Sequence, residues 1–340
     1  MALFALAFSE KGYELALKVA EQYDGSAERC GKACPLGEWT AEHFSAGNAL
    51  VFVGACGIAV RAIAPFVRSK TKDPAVVVMD EAENFVIPLL SGHLGGANEL
   101  ARTIAKDFGV TPVLTTATDV TGRFAVDEWT KRQNLVIVNP GRIKSVSGAL
   151  LDGADVKVWS DDPIEGEAPE GLIYAGSTAD AAGEGPGVIV SMRQLPAGGK
   201  LLHAVPRAAV LGVGCRRDTS EEDFQKFFEE FCRQADLAPQ AVAKIASIDL
   251  KQDEEGLAAF AARLGVPFVT YTAQELSEVP GEFSASEMVK RVTGVDNVCE
   301  RAAVLGSGGG PLLIGKQAGS GITMALAKAP INLTWRWKDV

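Results

Sequence analysis

Up to about residue 127, short apolar runs alternate with segments whose apolar residues recur every three or four positions. ALFALAFS reads as a strand and EKGYELALKVAEQY as a helix, NALVFVGA as a second strand and GIAVRAIAPFV as a helix broken at Pro65. AVVVMD and NFVIPLL follow as strands separated by the turn-like EAE. GGANELARTIAKDFG is a helix closing on Gly109, and TPVLTTATD a last strand. Unbroken Val/Ile/Leu runs between amphipathic helices predict a sheet covered on both faces, much of it parallel.

The pattern changes between residues 128 and 207. LVIVN, VKVWS, GLIYAG, GVIVS and KLLHAV are strand-like, SDDPIEGEAPE and DAAGEGPG are turns, and GRIKSVSGALLDG is the one clear helix. From 208 to 329 the α/β alternation returns. AAVLGVG, VAKIASI and PFVTYT read as strands between the helices TSEEDFQKFFEEFCRQA, DEEGLAAFAARLG and ASEMVKRVTG. AAVLGSGG and GPLLIGKQ read as further strands, and GITMALAKA as a helix or a strand. The predicted fold class is therefore α/β: two three-layer lobes with mostly parallel sheets, 1–127 and 208–329, joined by a small β-rich module, 128–207. The tail, 330–340, holds two exposed-looking tryptophans and is expected to pack on a neighbouring module or a second subunit.

A length of 340 residues suits two or three domains, and 47% hydrophobic with 22% charged residues describes a globular chain. No apolar run approaches the ~18 residues of a membrane span. The first residues carry no basic stretch, and Glu10 and Glu14 come early, so they read as strand then helix rather than a signal peptide; the cytoplasm is the expected compartment. Six scattered cysteines do not make a disulfide framework; CGKAC, Cys30 to Cys34, offers half a metal site with no partner half in the sequence, and no metal site is expected. The net charge of −10 argues against nucleic acid and requires any anionic ligand to be met by local cations and backbone amides.

In open α/β sheets ligands bind beyond the carboxyl ends of strands. After FVIPLL comes SGHLGGAN, where Ser91, Gly92, Gly95, Gly96 and Asn98 lead into a helix N-terminus and His93 can exchange a proton near neutral pH. A glycine turn with a hydrogen-bonded histidine is the competing reading. TTATD places Thr116 and Asp119 at another strand end, as ligand groups or as turn caps. Arg61 is the single charge in an apolar helix. In the last lobe LGVG precedes Cys215, Arg216 and Arg217, and Thr219 with Glu222 forms a capping box. Asp249 and Lys251 follow the next strand, Glu300 and Arg301 precede AAVLGSGGG with Ser307, and Lys316 and Thr323 flank another glycine-rich turn. A Cys215 nucleophile is disfavoured because no histidine is near in sequence, and His203 reads as a satisfied core or edge residue.

These segments carry a resemblance. GIAVRAIAPFVRSKTKDPAVVVMDEAENFVIPLLSGHLGGANELARTIA and TTATD resemble the N-terminal domain of the CbiG family of cobalamin biosynthesis; LGVGCRRDTSEE, IASIDLKQDEEGL, TGVDNVCERAAVL and LIGKQAGSGITMALA resemble its C-terminal domain, shared with CobE proteins. Residues 128–207 fall where the family's variable central domain lies, and the tail after about Ala329 lies outside the motifs. The resemblance implies a cytoplasmic cobalt-precorrin-5A hydrolase, which opens the δ-lactone of a ring-contracted cobalt corrinoid with water, releases acetaldehyde and leaves cobalt-precorrin-5B. Cobalt would arrive with the substrate, so no protein-bound cofactor is expected, and neighbouring pathway enzymes are the expected partners, with no nucleic acid or membrane.

For that chemistry His93 is expected to act as general base, with Asp119 or Glu300 orienting it and the amides of Gly92, Gly95 and Gly96 near the developing oxyanion. Arg61, Arg216, Arg217 and Lys316 are expected to hold carboxylate arms. Ser91, Asn98, Thr116, Cys215, Asp249, Lys251, Ser307 and Thr323 complete the expected binding surface. Two rivals remain: a non-catalytic corrinoid carrier, and a tetrapyrrole methyltransferase, against which the glycine spacing and the lack of an acidic ribose-binding position both argue.

Overall fold

The first apolar runs become the strands of one sheet. In the computed structural model, which describes residues 2–69, 72–92, 95–116, 122–195 and 199–337, the chain divides into two units, residues 1–128 and 129–340. The first contains β1 (Ala2–Ala7), α1 (Glu10–Gln22), β2 (Ser26–Arg29), α2 (Leu36–His43), β3 (Asn48–Val53), α3 (Cys56–Ile63), β4 (Ala75–Met79), β5 (Phe85–Leu90), α4 (Ala97–Phe108) and β6 (Thr111–Pro112). Its sheet runs in the order β2-β1-β3-β4-β5-β6. Leu15, Val19, Leu100 and Ile104 bury α1 and α4 on one face. Trp39, Ala59 and Ile63 bury α2 and α3 on the other, giving the expected three layers.

β1 to β4 are parallel, but β5 is antiparallel to β4 and β6 parallel to β5. The cause is the short connection: the Asp80 carboxylate accepts the N–H groups of Asn84 at 2.9 Å and Phe85 at 2.5 Å, closing a hairpin. A parallel return needs a crossover of about a dozen residues. TPVLTTATD contributes only the two residues of β6 to the ladder.

The helix α5 (Val126–Arg132) crosses the division in sequence. In the second unit come β7 (Leu135–Ile137), α6 (Ile143–Leu151), β8 (Val156–Ser160), β9 (Ile164–Glu165), β10 (Leu172–Tyr174), α7 (Thr178–Ala181), β11 (Gly187–Val190) and β12 (Leu201–Pro206). The sheet β10-β8-β11-β12-β7 is parallel except for β7. His203, 4% exposed, meets the Ser191 carbonyl through Nε2 at 3.0 Å. Burial holds its pKa below the usual histidine value, against smaller opposing effects of that bond and Asp161.

The rest comprises β13 (Ala209–Cys215), α8 (Glu221–Gln234), β14 (Val242–Ile248), α9 (Glu255–Leu264), β15 (Phe268–Tyr271), α10 (Ala273–Ser277), α11 (Glu287–Thr293), α12 (Cys299–Gly306), β16 (Leu312–Gly319), β17 (Ile322–Lys328) and β18 (Leu333–Thr334). The order is β15-β14-β13-β17-β16, with β17 antiparallel to both neighbours. Phe224, Phe228 and Phe260 seal α8 and α9 on one face, and Ala302 and Ala303 seat α12 on the other. AAVLGSGG, expected as a strand, is thus largely helix; a short apolar run buried on a sheet has no periodicity to separate the two. The cap of α8 is Ser220, whose Oγ accepts the Asp223 N–H at 3.2 Å, one residue later than the expected Thr219 box.

The glycines of LGVG serve this packing. A Cβ on Gly212 would overlap the Cys299 carbonyl, one on Gly214 would lie 2.6 Å from Thr323 Oγ1, and one on Gly306 2.9 Å from Val210 Cγ1. Of the two exposed-looking tryptophans of the tail, one is buried. Trp335 is 6% exposed, stacks on Trp129 at 5.3 Å and donates its indole N–H to Tyr174 Oη at 2.9 Å. It therefore packs on the central module, as one of the two expected arrangements had it. Among the described residues no helix is long and apolar enough to cross a membrane.

Gly212→Ala is expected to lower unfolding free energy by about 3 kcal/mol in urea titration, because backbone must yield to the new methyl. A loss under about 0.5 kcal/mol would show that α12 does not rest on β13 in this way.

Candidate functional site

Two groups of residues stand out, one in each unit. In the first, β5 leads into the loop before α4. Ser91 takes a left-handed φ of 56° and donates its hydroxyl to the Asp73 carbonyl at 3.0 Å. The Asp73 carboxylate in turn accepts the Arg68 N–H at 3.0 Å. Ala97 N–H returns to the Ser91 carbonyl at 3.2 Å and Asn98 N–H to the Gly92 carbonyl at 2.9 Å. The buried Asn98 amide donates to Thr116 Oγ1 at 2.9 Å, tying the loop to the segment after β6. A left-handed non-glycine residue costs on the order of 1 kcal/mol and needs such support.

The three glycines have local reasons. A Cβ on Gly92 would lie 2.6 Å from Asn98 Oδ1, one on Gly95 would overlap Ser91, and Gly96 has a φ of 87° at the N-cap of α4. Close approach here is by the loop's own atoms. Ser91, Gly92, Gly95, Gly96, Asn98 and Thr116 are brought together as expected. His93 and Asp119 lie outside the described residues.

The location differs from expectation. Because β5 is antiparallel, Leu90 pairs with Val76 near the start of β4, so this loop lies at the amino ends of the parallel strands. The turn into α3 lies at their carboxyl ends, after Val53. Arg61, exposed on α3, lines an open cleft with Leu36, Ile58, Pro65 and Phe66, and no described residue of 91–98 lines it. Arg61 is thus not joined to the loop through this cleft.

In the second unit the expected residues gather at the carboxyl ends of β13 and β14. Cys215 closes β13, Arg216 and Arg217 are exposed just beyond it, and Asp249 and Lys251 follow β14. Thr323 pairs with Gly214 across the β13–β17 ladder. Lys251 Nζ meets Glu254 Oε1 at 2.7 Å, both partners largely buried, while Glu254 Oε2 accepts the Asp218 N–H at 3.2 Å. Asp218 has a φ of 56°, so Glu254 braces a left-handed turn carrying the two arginines. The Arg216 stem lies over Gly321, and its N–H donates to the Gly321 carbonyl at 3.0 Å. Among the described residues Arg216, Arg217 and Lys316 form no ion pair.

Burial pushes the Cys215 thiol up to about 11, with Lys251 opposing and Glu254 reinforcing, and burial likewise pushes Cys299 up to about 11. In both, burial disfavours the thiolate, the nucleophilic form, at neutral pH. Glu300, expected beside the base, is on a helix rather than a strand and only 2% exposed. Its carboxylate is filled by four hydrogen bonds from within the protein. Ser307 is also misplaced. Its buried hydroxyl donates to the Val304 carbonyl at 2.7 Å and accepts the Gly310 N–H at 3.0 Å. Gly310 abuts Lys328, which pairs with Ala209, so Ser307 lies at the opposite edge of the sheet from Cys215. Among the described residues no group of three His, Cys, Asp or Glu side chains is placed to hold a metal ion.

The chain was compared with known proteins. Models of one family match it in order: the cobalamin synthesis G N-terminal region over residues 38–119, the cobalamin biosynthesis central region over 124–206 and the cobalamin synthesis G C-terminus over 209–327. A cobalt-precorrin-5A hydrolase of Salmonella typhimurium is 38% identical over 295 residues, 84% of this chain and 83% of that protein. The chain belongs to the CbiG family. A cobalt-precorrin-5A hydrolase of Priestia megaterium is 32% identical over 85% of this chain and 80% of its own. Protein CobE of Sinorhizobium is 33% identical over 125 residues, 36% of this chain and 81% of that protein.

Both residue groups fall within the matched CbiG regions, whereas Cys30 and Cys34 precede residue 38. Glu254, Ser284 and Asn297 were missed because each joins segments that are 13 to 36 positions apart in sequence: Glu254 to the Asp218 amide, Ser284 to the Glu300 carboxylate and Asn297 to the Ser284 carbonyl. At pH 8, Cys215 is expected to react with iodoacetamide on the order of 100-fold more slowly than an ordinary thiol, and to accelerate up to pH 11. Peptide mapping that shows a plateau near pH 8.5 would contradict the burial argument.

Proposed function

We propose that the protein is a cobalt-precorrin-5A hydrolase, a hydrolase of carbon–carbon bonds in cobalamin synthesis. The observation that carries this is the pair of relatives with that name, 38% and 32% identical over 80% or more of every chain compared. The proposed reaction begins with water adding to the δ-lactone carbonyl and the ring ester opening to a carboxylate and an alcohol. Deprotonation of that alcohol gives an alkoxide, which collapses to the carbonyl of acetaldehyde. The carbon–carbon bond breaks, and its electron pair passes into the conjugated macrocycle with its cobalt. Cobalt enters as part of the substrate, and the proposal asks for no protein-bound cofactor.

The residues supply what such steps need. A base must activate water, and donors must meet the carbonyl oxygen as it gains charge. His93 is proposed as that base because imidazole exchanges protons near neutrality; with Asp119, proposed to orient it, this assignment rests on the sequence. The proposed oxyanion donors are the neighbouring glycine amides, in a loop held by Ser91, Asn98 and Thr116. The acetate and propionate arms of the macrocycle call for cations without partners of their own. Arg216 and Arg217, beyond the end of β13, and Lys316, on β16, are proposed for that task in the second unit, and Arg61 in the first.

Purified protein given cobalt-precorrin-5A is expected to release one acetaldehyde per substrate. His93→Ala is expected to lower turnover about 100-fold or more while melting unchanged; parent-like turnover would remove His93 from the mechanism. Binding of the corrinoid without acetaldehyde release would instead identify a carrier. Arg216→Ala combined with Arg217→Ala is expected to raise KM about 10-fold or more, the worth of a charge-assisted hydrogen bond, with a smaller change in kcat. A fall in kcat alone would refute the anchoring role.

A further inference from the structure

We propose that Glu300 is a positioning residue: it holds a bulge in β16 and thereby leaves Lys316 as a cation offered to a substrate carboxylate. This deepens the corrinoid-hydrolase reading and rests on it.

The bulge is visible in the ladder. Ile314 stands opposite Leu326 and Gln317 opposite Met324, so three steps along β16 match two along β17. The extra residue falls at Gly315–Lys316. A bulge removes an N–H from the ladder and turns the chain, and such features re-aim side chains beside functional sites. Here the released Lys316 N–H donates to Glu300 Oε1 at 2.7 Å. Gly315 lies against the same oxygen; a Cβ there would stand 3.3 Å from it.

Glu300 is bound in turn by two other segments. Its Oε2 accepts the Ser284 N–H at 2.7 Å and the Asn297 amide at 2.6 Å, and Oε1 also accepts the Ser284 hydroxyl at 3.1 Å. All four donors are neutral. A carboxylate sealed from water is costly without strong hydrogen bonds, and this one is placed in the first turn of α12, where the helix dipole favours an anion. Glu300 spends those bonds on main chain and neutral side chains. Among the described residues the half-buried Lys316 ammonium has no carboxylate partner.

Lys316 lies on the outer strand of the same sheet, two strands from β13. Its charge opposes the burial that raises the Cys299 thiol. Gln317, its neighbour, stands opposite Met324, which pairs with Val213 two residues before Cys215. Fixing the backbone of Lys316 through an anion while leaving its side chain unpaired gives a receptor that is rigid at its base and charged at its tip.

The test is a double-mutant cycle on Glu300→Gln and Lys316→Ala. It is read on KM and kcat for cobalt-precorrin-5A and on Kd for cobyrinic acid, a stable cobalt corrinoid with free carboxylate arms, with melting temperature as the control for folding. Each single variant is expected to raise Kd and KM about 10-fold, the worth of one charge-assisted hydrogen bond, with a much smaller fall in kcat. The double variant is expected to be no worse than Lys316→Ala. Deleting Gly315, which restores two-against-two pairing without touching Glu300, is expected to weaken binding as Lys316→Ala does. It serves where Glu300→Gln does not fold. Additive losses, a folded Glu300→Gln with parent affinity, or a Gly315 deletion that binds normally would each overturn the proposal. Acetaldehyde release with additive variants leaves the hydrolase reading standing and removes this one. Cobyrinic acid binding with a coupled cycle and no acetaldehyde does the reverse, and a parent protein that neither binds nor turns over removes both.

Discussion

The backbone of α12 lies against the backbone of β13, and the carboxyl edge of the last sheet depends on that contact. It exists because positions 212, 214 and 306 carry no side chain. With those three surfaces bare, the helix settles until Ala302 and Ala303 are fully buried. Its first turn then delivers Cys299 and Glu300 to the end of β13. From there, hydrogen bonds reach Ser284 on one side and Lys316 on the other. Hydrogen-bond geometry weakens steeply with small displacements. A shift of α12 by the thickness of a methyl group would release both segments at once.

The alternation of apolar runs and amphipathic stretches was enough to read two α/β lobes with a β-rich module between them, the helices α1, α4, α8 and α9, and the covered sheets. What escaped was direction and partnership. β5 was legible as a strand, yet its orientation was encoded in the brevity of the turn at Asp80–Asn84, and the loop after it moved to the other edge of the sheet with that one reversal. The segment that became α12 was legible as buried, but eight residues of apolar and small character carry no distinguishing period. Gly92 and Gly95 were read for the amides they offer a ligand; their bare Cα atoms, like those of Gly212 and Gly214, are places where the protein meets itself. Glu300 was noticed for its charge and its position before a glycine-rich run, while the four donors that occupy it come from residues 16 positions away or in a neighbouring loop.

The charge distribution has a similar logic. A chain with net charge −10 repels an acidic ligand at long range. Within about one Debye length, ~8 Å at physiological salt, the local arrangement decides. Near the carboxyl ends Glu254 is spent on Lys251 and the Asp218 amide, and Glu300 on neutral donors. Among the described residues Arg216, Arg217 and Lys316 keep no ion pair. Two carboxylates are thus turned inward as fasteners while three cations are not.

The stitching of the last residues into the middle of the chain bears on how the polypeptide is made. Thr334 offers its carbonyl to the Trp129 indole at 2.8 Å, and the Gln133 amide brackets Thr334 and Arg336. β18 pairs with β9, some 170 positions upstream by the register Leu333 to Ile164. A ribosome releases domains in order, amino end first. The central sheet, translated well before Trp335, therefore leaves Trp129 without its stacking partner until that residue emerges. The β18–β9 pairing is thus a contact of long sequence separation, the kind whose loop-closure cost falls before its reward.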